Sequence, residues 1–206
     1  MIKVIQSLKL KKKLEKFVRS KLANIAIIPA RKGSKRIKNK NVTKICGVKL
    51  IDYTIRFAES CKDIKKVVVI TNIKELLKRK KTKKTIYLSR PEFVSRDHSS
   101  TESTIINIIN KNQKLFENSN LVILQPTSPL RNSKDISSAL YSFKKNKFDS
   151  LFSGYVEKSF VWKTVNKKIL PVNYNPLKRP RSQKYNGSII ENGAIYIAKT
   201  KFFFTI

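Results

Sequence analysis

The stretch "NIAIIPARKGSKRIKNKN", residues 24–41, joins a short apolar run to a strongly basic segment. The run 24–30 has the length and apolar character of a strand buried on both faces of a parallel sheet. Ligands of open α/β sheets lie beyond the carboxyl ends of the strands, so the basic loop is predicted to border a binding site. The loop matches neither the G-x-x-x-x-G-K-[ST] pattern nor the dinucleotide-binding glycine fingerprint. Its residues that suit a bound polyphosphate are Arg31, Gly33, Ser34, Lys35 and Lys40.

Outward from this stretch, apolar segments of strand length alternate with segments of helical periodicity. We predict strands at 65–71, 86–91, 120–127, 149–155 and 192–198. We predict helices at 49–61, 99–112 and 133–146, with Ser100 or Thr101 capping the second and Ser133 starting the third. This alternation predicts an α/β fold with a mainly parallel sheet and helices on both faces.

The chain is predicted to consist of a basic N-terminal extension, residues 1–23, and one α/β domain, residues 24–206. Apolar residues follow helical spacing in the extension, at Leu10, Leu14 and Phe17. This spacing favours a basic surface helix or a start codon placed too early, and the alternative is a membrane-surface helix or a targeting segment. Residues 156–187, which include Trp162, are less regular and are predicted to form a lid or an interface excursion from the sheet.

The chain carries 46 Lys and Arg against 13 Asp and Glu, a formal net charge of +33. Such a surplus predicts non-specific attraction to polyanions. Because Lys, Ile and Asn are abundant together, compositional drift in an AT-rich genome is the competing explanation. Cys46 and Cys61 lack metal-ligand spacing and fit a reducing, cytoplasmic interior, and His98 is the single histidine. No apolar run has the length that spanning a bilayer requires.

Four motifs occur in order along the chain: "IPARKGSKRIKNKN" (28–41), "RP" followed by D-x-S-S-T (90–101), "LQPTSPLR" (124–131) and "ENGAIYI" (191–197). Together they resemble the acylneuraminate cytidylyltransferases, the CMP-sialic acid synthetase family, which includes relatives that act on legionaminic or pseudaminic acid. The resemblance extends over residues 24–197 and implies a Rossmann-like nucleotide-diphospho-sugar transferase fold. The related 3-deoxy-manno-octulosonate cytidylyltransferases share the first motif but are expected to carry an acidic motif in place of "QPTSP".

The resemblance implies that the anomeric hydroxyl of a nonulosonic acid attacks the α-phosphate of CTP and that pyrophosphate leaves. It assigns the catalytic stabilisation of charge to Arg31, Lys35 and Lys40. It assigns CTP binding to Arg31, Gly33, Ser34, Lys35, Lys40, Asn41, Ser99 and Ser100. It assigns sugar binding to Gln125, Ser128, Arg181, Gln183, Tyr185 and Asn192. Arg131 is expected to brace the "LQPTSPLR" loop, and a homodimer is expected to form through residues 156–187.

Three departures from the family pattern bear on activity. Ser182 stands where the family has an Arg before Gln183, so the substrate carboxylate is left to Arg181 or Arg179 or is bound more weakly. Residues 70–72 read "ITN" in place of "STD". The family's acidic D-x-D-T motif is not found after "ENGAIYI". The protein ligands of the Mg²⁺ that the family implies are therefore expected to be missing, together with a C-terminal part.

Two classes of function follow from the sequence. The leading hypothesis is a CMP transferase acting on a nonulosonic acid, with activity compromised by truncation. The alternative is a basic nucleic-acid-binding protein, or a non-catalytic subunit, on a degenerate transferase fold. Lys outnumbers Arg and no basic motif is interleaved with aromatic residues, which disfavours a specialised nucleic-acid binder.

Overall fold

The structure is a computed structural model that describes residues 3–6, 22–33, 37–90 and 100–203, with the backbone alone for the first of these segments. The strands in these ranges are β1 (Lys3–Gln6), β2 (Ala23–Ala30), β3 (Lys44–Ile45), β4 (Val48–Lys49), β5 (Lys66–Thr71), β6 (Thr85–Ser89), β7 (Ser119–Ile123), β8 (Ser150–Glu157), β9 (Trp162–Val165), β10 (Lys168–Pro171) and β11 (Ser188–Lys199). The α-helices are α1 (Leu50–Ser60), α2 (Lys74–Leu77), α3 (Thr101–Lys111), α4 (Gln113–Phe116) and α5 (Ser133–Lys145).

Seven of these strands form one sheet in the order β1-β8-β11-β7-β2-β5-β6. The strands β7, β2, β5 and β6 pair in parallel. Strand β11 is antiparallel to both β7 and β8, so β8 runs in the same direction as the four parallel strands. Only β11 and β1 oppose this direction among the described strands of the sheet. The mainly parallel sheet predicted from the sequence is confirmed.

The central strand β2 shows why the sheet carries helices on both faces. Its alternate residues enter two separate cores, because successive side chains of a strand point to opposite faces. Ala26 and Ile28 join the core that contains residues of α1 and α5, whereas Ile25 and Ile27 join the core that contains residues of α3 and α4. The apolar run 24–30 is therefore buried on both sides, and the prediction of helices on both faces is confirmed.

The predicted helices begin at the expected places, and side chains cap two of them. The Ser100 side chain caps α3 by accepting a hydrogen bond from the Ser103 N–H. Helix α5 starts at Ser133 as predicted, but its cap is Asn132. The Asn132 side chain accepts from the Lys134 and Asp135 N–H groups, and the Asp135 carboxylate accepts from the Asn132 N–H. This reciprocal arrangement satisfies more of the free N–H groups of the first turn than a single hydroxyl does.

Several short elements were not predicted from the sequence. The hairpin β3–β4 turns at Cys46 and Gly47, whose φ angles are 48° and 78°. Two positive φ values in succession are typical of the tight turns that join antiparallel strands. Helices α2 and α4 span four residues each. Elements of this length are too short to show a hydrophobic period, so the sequence pattern does not reveal them.

Residues 158–187 leave the main sheet between β8 and β11 and contain the separate ribbon β9–β10. Aromatic rings hold this excursion together: the Phe160 ring lies 4.4 Å from Tyr174 and 5.0 Å from Tyr185, centroid to centroid. The guanidinium of Arg179 stacks over Phe160 at 4.5 Å from the ring centroid. The excursion predicted at 156–187 thus has a small structure of its own, while its role as a lid or an interface remains a prediction.

At the other end of the chain, Lys3–Gln6 adds an antiparallel strand to β8 at the edge of the sheet. The helix predicted in the basic extension falls on residues 7–21, which lie outside the described residues. The division into an extension, residues 1–23, and a domain, residues 24–206, therefore stays a prediction.

Candidate functional site

The carboxyl ends of the parallel strands gather four loops at one edge of the sheet. The loop after β2 begins at Arg31, the loop after β5 at Asn72, the segment after β6 at Arg90, and the loop after β7 at Leu124. Strand β11 runs the other way, and its Tyr196 pairs with Ile123 at the end of β7. Residues of β11 that precede Tyr196 therefore lie at the same edge, beyond the end of β7. This edge is where ligands bind in open α/β sheets.

The basic loop after β2 is held by side-chain amides at its first peptide group. The Asn41 Nδ2 donates to the Arg31 carbonyl at 3.0 Å, and the Lys32 N–H donates to the Asn72 Oδ1 at 2.7 Å. Asn41 is buried, and Arg31 is half-buried. Gly33 adopts a φ of 80°, and a Cβ there would meet no atom within 4 Å. Its left-handed backbone, and not crowding, therefore favours glycine at this position.

The remaining residues predicted for CTP binding fall into two groups. Lys40 is half-buried and opens the short turn Lys40–Val42, while Ser100 is exposed at the start of α3. Ser34, Lys35 and Ser99 lie outside the described residues. The assignment of these residues to CTP therefore stays a prediction.

Arg90 is a candidate binding residue that the sequence motif contained but to which no role was assigned. Arg90 lies at the end of β6 and is 4% exposed, and its backbone N–H donates to the Thr71 carbonyl at 2.8 Å. Burial lowers the pKa of the Arg90 guanidinium, and the positive charge of Arg31 lowers it further. Two guanidinium groups that repel each other at this edge are suited to an anion that carries several charges.

Arg131 fastens the loop after β7 to the rest of the domain. Its guanidinium donates to the Ala194 carbonyl, to the Gln125 carbonyl at 3.3 Å and to the Thr54 Oγ1 at 2.9 Å. Burial lowers the pKa of Arg131 to about 10. The loop is thereby tied to both β11 and α1, which confirms the prediction that Arg131 braces it.

Three of the six predicted sugar-binding residues lie around the irregular part of β11. The pairing of β11 with β8 shifts register between Glu191 and Tyr196. A Cβ at Gly193 would lie 3.6 Å from the Gln125 Oε1, so the Gln125 side chain packs beside the residue that follows Asn192. The Asn192 Oδ1 accepts from the Ser153 Oγ at 2.7 Å and from the Ala194 N–H at 3.0 Å. The turn after Gln125 also holds Ser128, which is half-buried and donates its N–H to the Gln125 carbonyl at 3.4 Å.

The other three predicted sugar-binding residues, Arg181, Gln183 and Tyr185, lie in the excursion. The Tyr185 hydroxyl donates to the Asn173 carbonyl at 3.2 Å, and Arg181 and Gln183 are exposed. Among the described residues, no hydrogen bond, ion pair or ring contact joins these three to Gln125 or Asn192. Their contact with a sugar therefore stays a prediction.

Acidic side chains near this edge are the residues that could hold the Mg²⁺ that the family implies. Within the four described ranges, no group of three or more His, Cys, Asp and Glu residues is placed to hold a metal ion. The Glu191 carboxylate accepts from the Tyr196 hydroxyl at 3.0 Å. Burial and this carboxylate raise the pKa of Tyr196 to about 12. Because Mg²⁺ needs only one or two carboxylates when phosphates supply further ligands, its protein ligands stay a prediction.

Within the described residues, no helix has the length and apolar character needed to cross a membrane.

Curated relatives of this chain carry the names that its motifs suggest. The chain is 35% identical to N-acylneuraminate cytidylyltransferase A of Danio rerio over 178 residues, covering 84% of this chain and 41% of that protein. It is 34% identical to the N-acylneuraminate cytidylyltransferase of Oncorhynchus mykiss over 176 residues, covering 84% and 40%. It is also 34% identical to CMP-N,N'-diacetyllegionaminic acid synthase of Legionella pneumophila over 119 residues, covering 56% and 51%. The chain spans about two fifths of the length of the first two relatives.

Solved structures of similar shape agree with the fold. A CMP:2-keto-3-deoxy-manno-octonic acid synthetase complexed with CTP superposes with a TM-score of 0.60 at 20% identity, covering 89% of this chain and 76% of that one. The 4-diphosphocytidyl-2C-methyl-D-erythritol synthase of Anaerococcus prevotii superposes with a TM-score of 0.61 at 14% identity, covering 88% and 73%. At these identities the likeness establishes the fold alone.

A family model described as cytidylyltransferase matches residues 25–205. The match covers the whole described sheet except β1 and the first residues of β2, and includes each of the four loops at the carboxyl edge. The resemblance inferred from the four sequence motifs is confirmed, and the chain belongs to the cytidylyltransferase family.

Proposed function

We propose that this chain transfers CMP from CTP to a nonulosonic acid and releases pyrophosphate. The observation that carries the proposal is the placement of two half-sites at one edge of the sheet. The cationic group of Arg31 and Arg90 lies beyond β2 and β6, and the polar group of Gln125 and Asn192 lies beyond β7. The first group suits a triphosphate and the second suits a polyhydroxylated acceptor. The relatives named for acylneuraminate and legionaminic acid support this choice of acceptor.

In the proposed reaction, the anomeric hydroxyl oxygen of the sugar forms a bond to the α-phosphorus of CTP. The bond from that phosphorus to the oxygen bridging to the β-phosphate breaks, pyrophosphate carries away the electron pair, and the hydroxyl proton passes to solvent. Charge grows on the leaving oxygens in the transition state. Arg31, Arg90 and Lys40 would stabilise it from fixed positions, together with Lys35 and Ser34 of the same loop.

The half-buried position of these cations matters for this stabilisation. Arg31 and Lys40 are each partly screened from water, and Arg90 is buried. A phosphate held among cations that have lost part of their water is bound more strongly than one at an open surface. Asn41 would act mainly by holding the loop, since its Nδ2 already donates to the Arg31 carbonyl.

We also propose that the chain forms a homodimer through the excursion and works in the cytoplasm. Large apolar side chains are exposed in the excursion, including Ile169 at 68% and Leu177 at 92%, and apolar patches of this kind mark interfaces. Ile169→Gln should shift the sedimentation coefficient towards that of the monomer. Tyr141→Gln, a change at an exposed position of helix α5, should not. The two cysteines, Cys46 and Cys61, are free, which suits a reducing compartment.

The proposed activity is tested by incubating the chain with CTP, N-acetylneuraminic acid and Mg²⁺ and following products by ³¹P NMR. The proposal predicts equal amounts of a CMP-sugar diester and of pyrophosphate, with ATP a poor replacement for CTP. Pyrophosphate release at the same rate without sugar would indicate hydrolysis and contradict the transfer. No turnover in the presence of firm CTP binding would favour the non-catalytic subunit.

A second candidate, a basic nucleic-acid-binding protein, is motivated by the net charge of +33. It predicts an RNA affinity that falls steeply with salt and a CTP affinity no greater than that for other nucleotides. A CTP titration and an RNA titration on the same preparation therefore separate the two candidates.

A further inference from the structure

The peptide group between Arg31 and Lys32 has both of its polar atoms held by side-chain amides. Its carbonyl oxygen accepts from the Asn41 Nδ2 at 3.0 Å, and its N–H donates to the Asn72 Oδ1 at 2.7 Å. Both distances lie in the range of well-formed hydrogen bonds. We propose that Asn41 and Asn72 form an amide clamp that positions the loop for the triphosphate, with Asn72 as a positioning residue to which the family motifs assign no role. This inference rests on the proposed function.

Asn72 is itself held in place by its two neighbours in the chain. The Thr71 carbonyl accepts from the Arg90 N–H at 2.8 Å, and the Thr71 Oγ1 accepts from the Ile73 N–H at 3.0 Å. Thr71 and Ile73 are both buried. The backbone on each side of Asn72 is therefore fixed, and only its half-buried side chain reaches across to the loop.

The order of the strands places Asn72 between the two arginines. Strand β5 lies between β2 and β6, so Asn72 stands between the strand ends that carry Arg31 and Arg90. The Lys32 N–H bonds to the side chain of Asn72, and the Arg90 N–H bonds to the residue before it. The clamp thus fixes the two arginine backbones in relation to each other across three adjacent strands.

Asn41 completes the clamp from the far side of the loop. It is 6% exposed, and it lies in the turn Lys40–Val42, where the Thr43 N–H donates to the Lys40 carbonyl at 3.2 Å. Because both polar atoms of the 31–32 peptide are satisfied within the protein, that peptide needs no phosphate to hold its orientation. The start of the loop is therefore formed before CTP arrives, and binding does not have to supply the free energy of ordering it.

The two amides have opposite chemical roles, which gives a sharp test. A carbonyl only accepts and a backbone N–H only donates, so Asn41 must donate and Asn72 must accept. An aspartate at position 72 retains an acceptor, whereas an aspartate at position 41 places an acceptor against a carbonyl oxygen. The clamp therefore predicts that Asn72→Asp is tolerated and that Asn41→Asp is not.

The experiment measures two quantities on each variant of the full chain: the CTP dissociation constant by calorimetry and the exchange rate of the Lys32 amide hydrogen by NMR. Asn72→Ala removes the acceptor of the Lys32 N–H and should speed its exchange about tenfold. Asn72→Ala and Asn41→Asp should each weaken CTP binding about tenfold. Asn72→Asp should stay within about threefold of the wild type in both quantities. The control is Asn146→Ala, which removes a side-chain bond to the Ser142 carbonyl at the end of α5 and should change neither.

The outcomes separate the clamp from the proposed function. If the wild type binds CTP and Asn72→Ala binds it equally well, the clamp is wrong while the function stands. If Asn72→Asp is as impaired as Asn72→Ala, the role of Asn72 as an acceptor is wrong. If the wild type binds no CTP, the proposed function fails, and the positioning role fails with it. Thermal melting of each variant shows whether a loss of CTP binding reflects unfolding. If it does, the same CTP titration is repeated on the matched pair at position 41, Asn41→Asp against Asn41→Gln.

Discussion

Two basic segments of this chain, the loop 31–40 and the segment 78–84, differ in how the fold holds their cations. The first follows the carboxyl end of β2, and the second precedes the amino end of β6. Both are rich in Lys and Arg. In 31–40, an amide-held peptide group and the half-buried Arg31 face a second buried arginine, Arg90. In 78–84, Lys78, Lys80, Lys81 and Lys83 are exposed.

The cations of the segment 78–84 that are held by the protein have structural partners. Arg79 donates to both carboxylate oxygens of Asp52, at 2.5 and 3.3 Å. The Lys84 Nζ donates to the Glu59 and Cys61 carbonyls at 2.6 and 2.7 Å, at the end of α1. Positive charge alone therefore does not make a binding site. A binding site also needs cations that the fold brings close to one another, as it does Arg31 and Arg90.

The largest expected effect concerns CTP affinity. Arg31→Ala should weaken CTP binding by about a hundredfold, since a charge-assisted hydrogen bond contributes about 1.5–3 kcal/mol. The triple variant Lys80→Ala, Lys81→Ala and Lys83→Ala should change CTP binding by less than about twofold. Calorimetric titration measures both. Equal losses in the two variants would contradict a shaped site.

The second effect concerns the stability of the fold and compares Arg131 with Lys84. Arg131→Met should lower the free energy of unfolding by about 2 kcal/mol, because it leaves the Ala194 carbonyl buried without its donor. Lys84→Met, which also removes a cation that serves two carbonyls, should cost less than about 1 kcal/mol, because water replaces the partly exposed amine. Urea denaturation monitored by circular dichroism gives both values. A larger loss in the free energy of unfolding for Lys84→Met than for Arg131→Met would contradict this ranking of the two residues.

The sequence predicted much of this scaffold because the signals were local. The apolar run of β2, the helical period of α1 and α3, and the Ser100 cap all depend on neighbours in the chain. The site was less predictable because its residues meet across strands. The sequence showed Asn72 only as a departure from "STD", and its bond to Lys32 follows from the pairing of β2 with β5.

The contacts of two further residues could not be predicted from the pattern of the sequence. Arg90 belongs to a quoted motif, but its proximity to Arg31 depends on β5 lying between β2 and β6. Asn192 meets the region of Gln125 because β11 runs antiparallel to β7 and changes register with β8. Spacing along the chain carries no information on either of these arrangements.

A third, smaller effect compares Arg90 with Arg79. Arg79→Met should lower the free energy of unfolding by about 1 kcal/mol through loss of the Asp52 pair, and it should leave CTP binding unchanged. Arg90→Met should weaken CTP binding, because Arg90 lies at the carboxyl edge of the sheet near Arg31. Thermal melts and titrations of the two variants provide the comparison. A loss of CTP binding in Arg79→Met would show that the site extends beyond the residues assigned to it.

The smallest expected effect concerns polyanions. Each Lys or Arg that neutralises one phosphate contributes about 0.7–0.9 to the slope of log affinity against log salt. Arg31→Ala should therefore lower this slope for RNA by no more than one such step, and the triple variant at Lys80, Lys81 and Lys83 by up to three. Filter binding over a range of salt concentrations measures the slopes. A collapse of RNA binding in Arg31→Ala would mean that the loop is a nucleic-acid site.

If the loop 31–40 is shaped for one nucleotide, the chain must distinguish CTP from ATP, and a paired titration tests this selectivity most directly. The wild-type chain is titrated with CTP and with ATP at low and at physiological salt. We expect a CTP dissociation constant at least about tenfold below that of ATP at both salt concentrations, because contacts to the cytosine base would add to the contacts to the phosphates. Equal dissociation constants that rise in parallel with salt would contradict it and leave only a diffuse cationic surface.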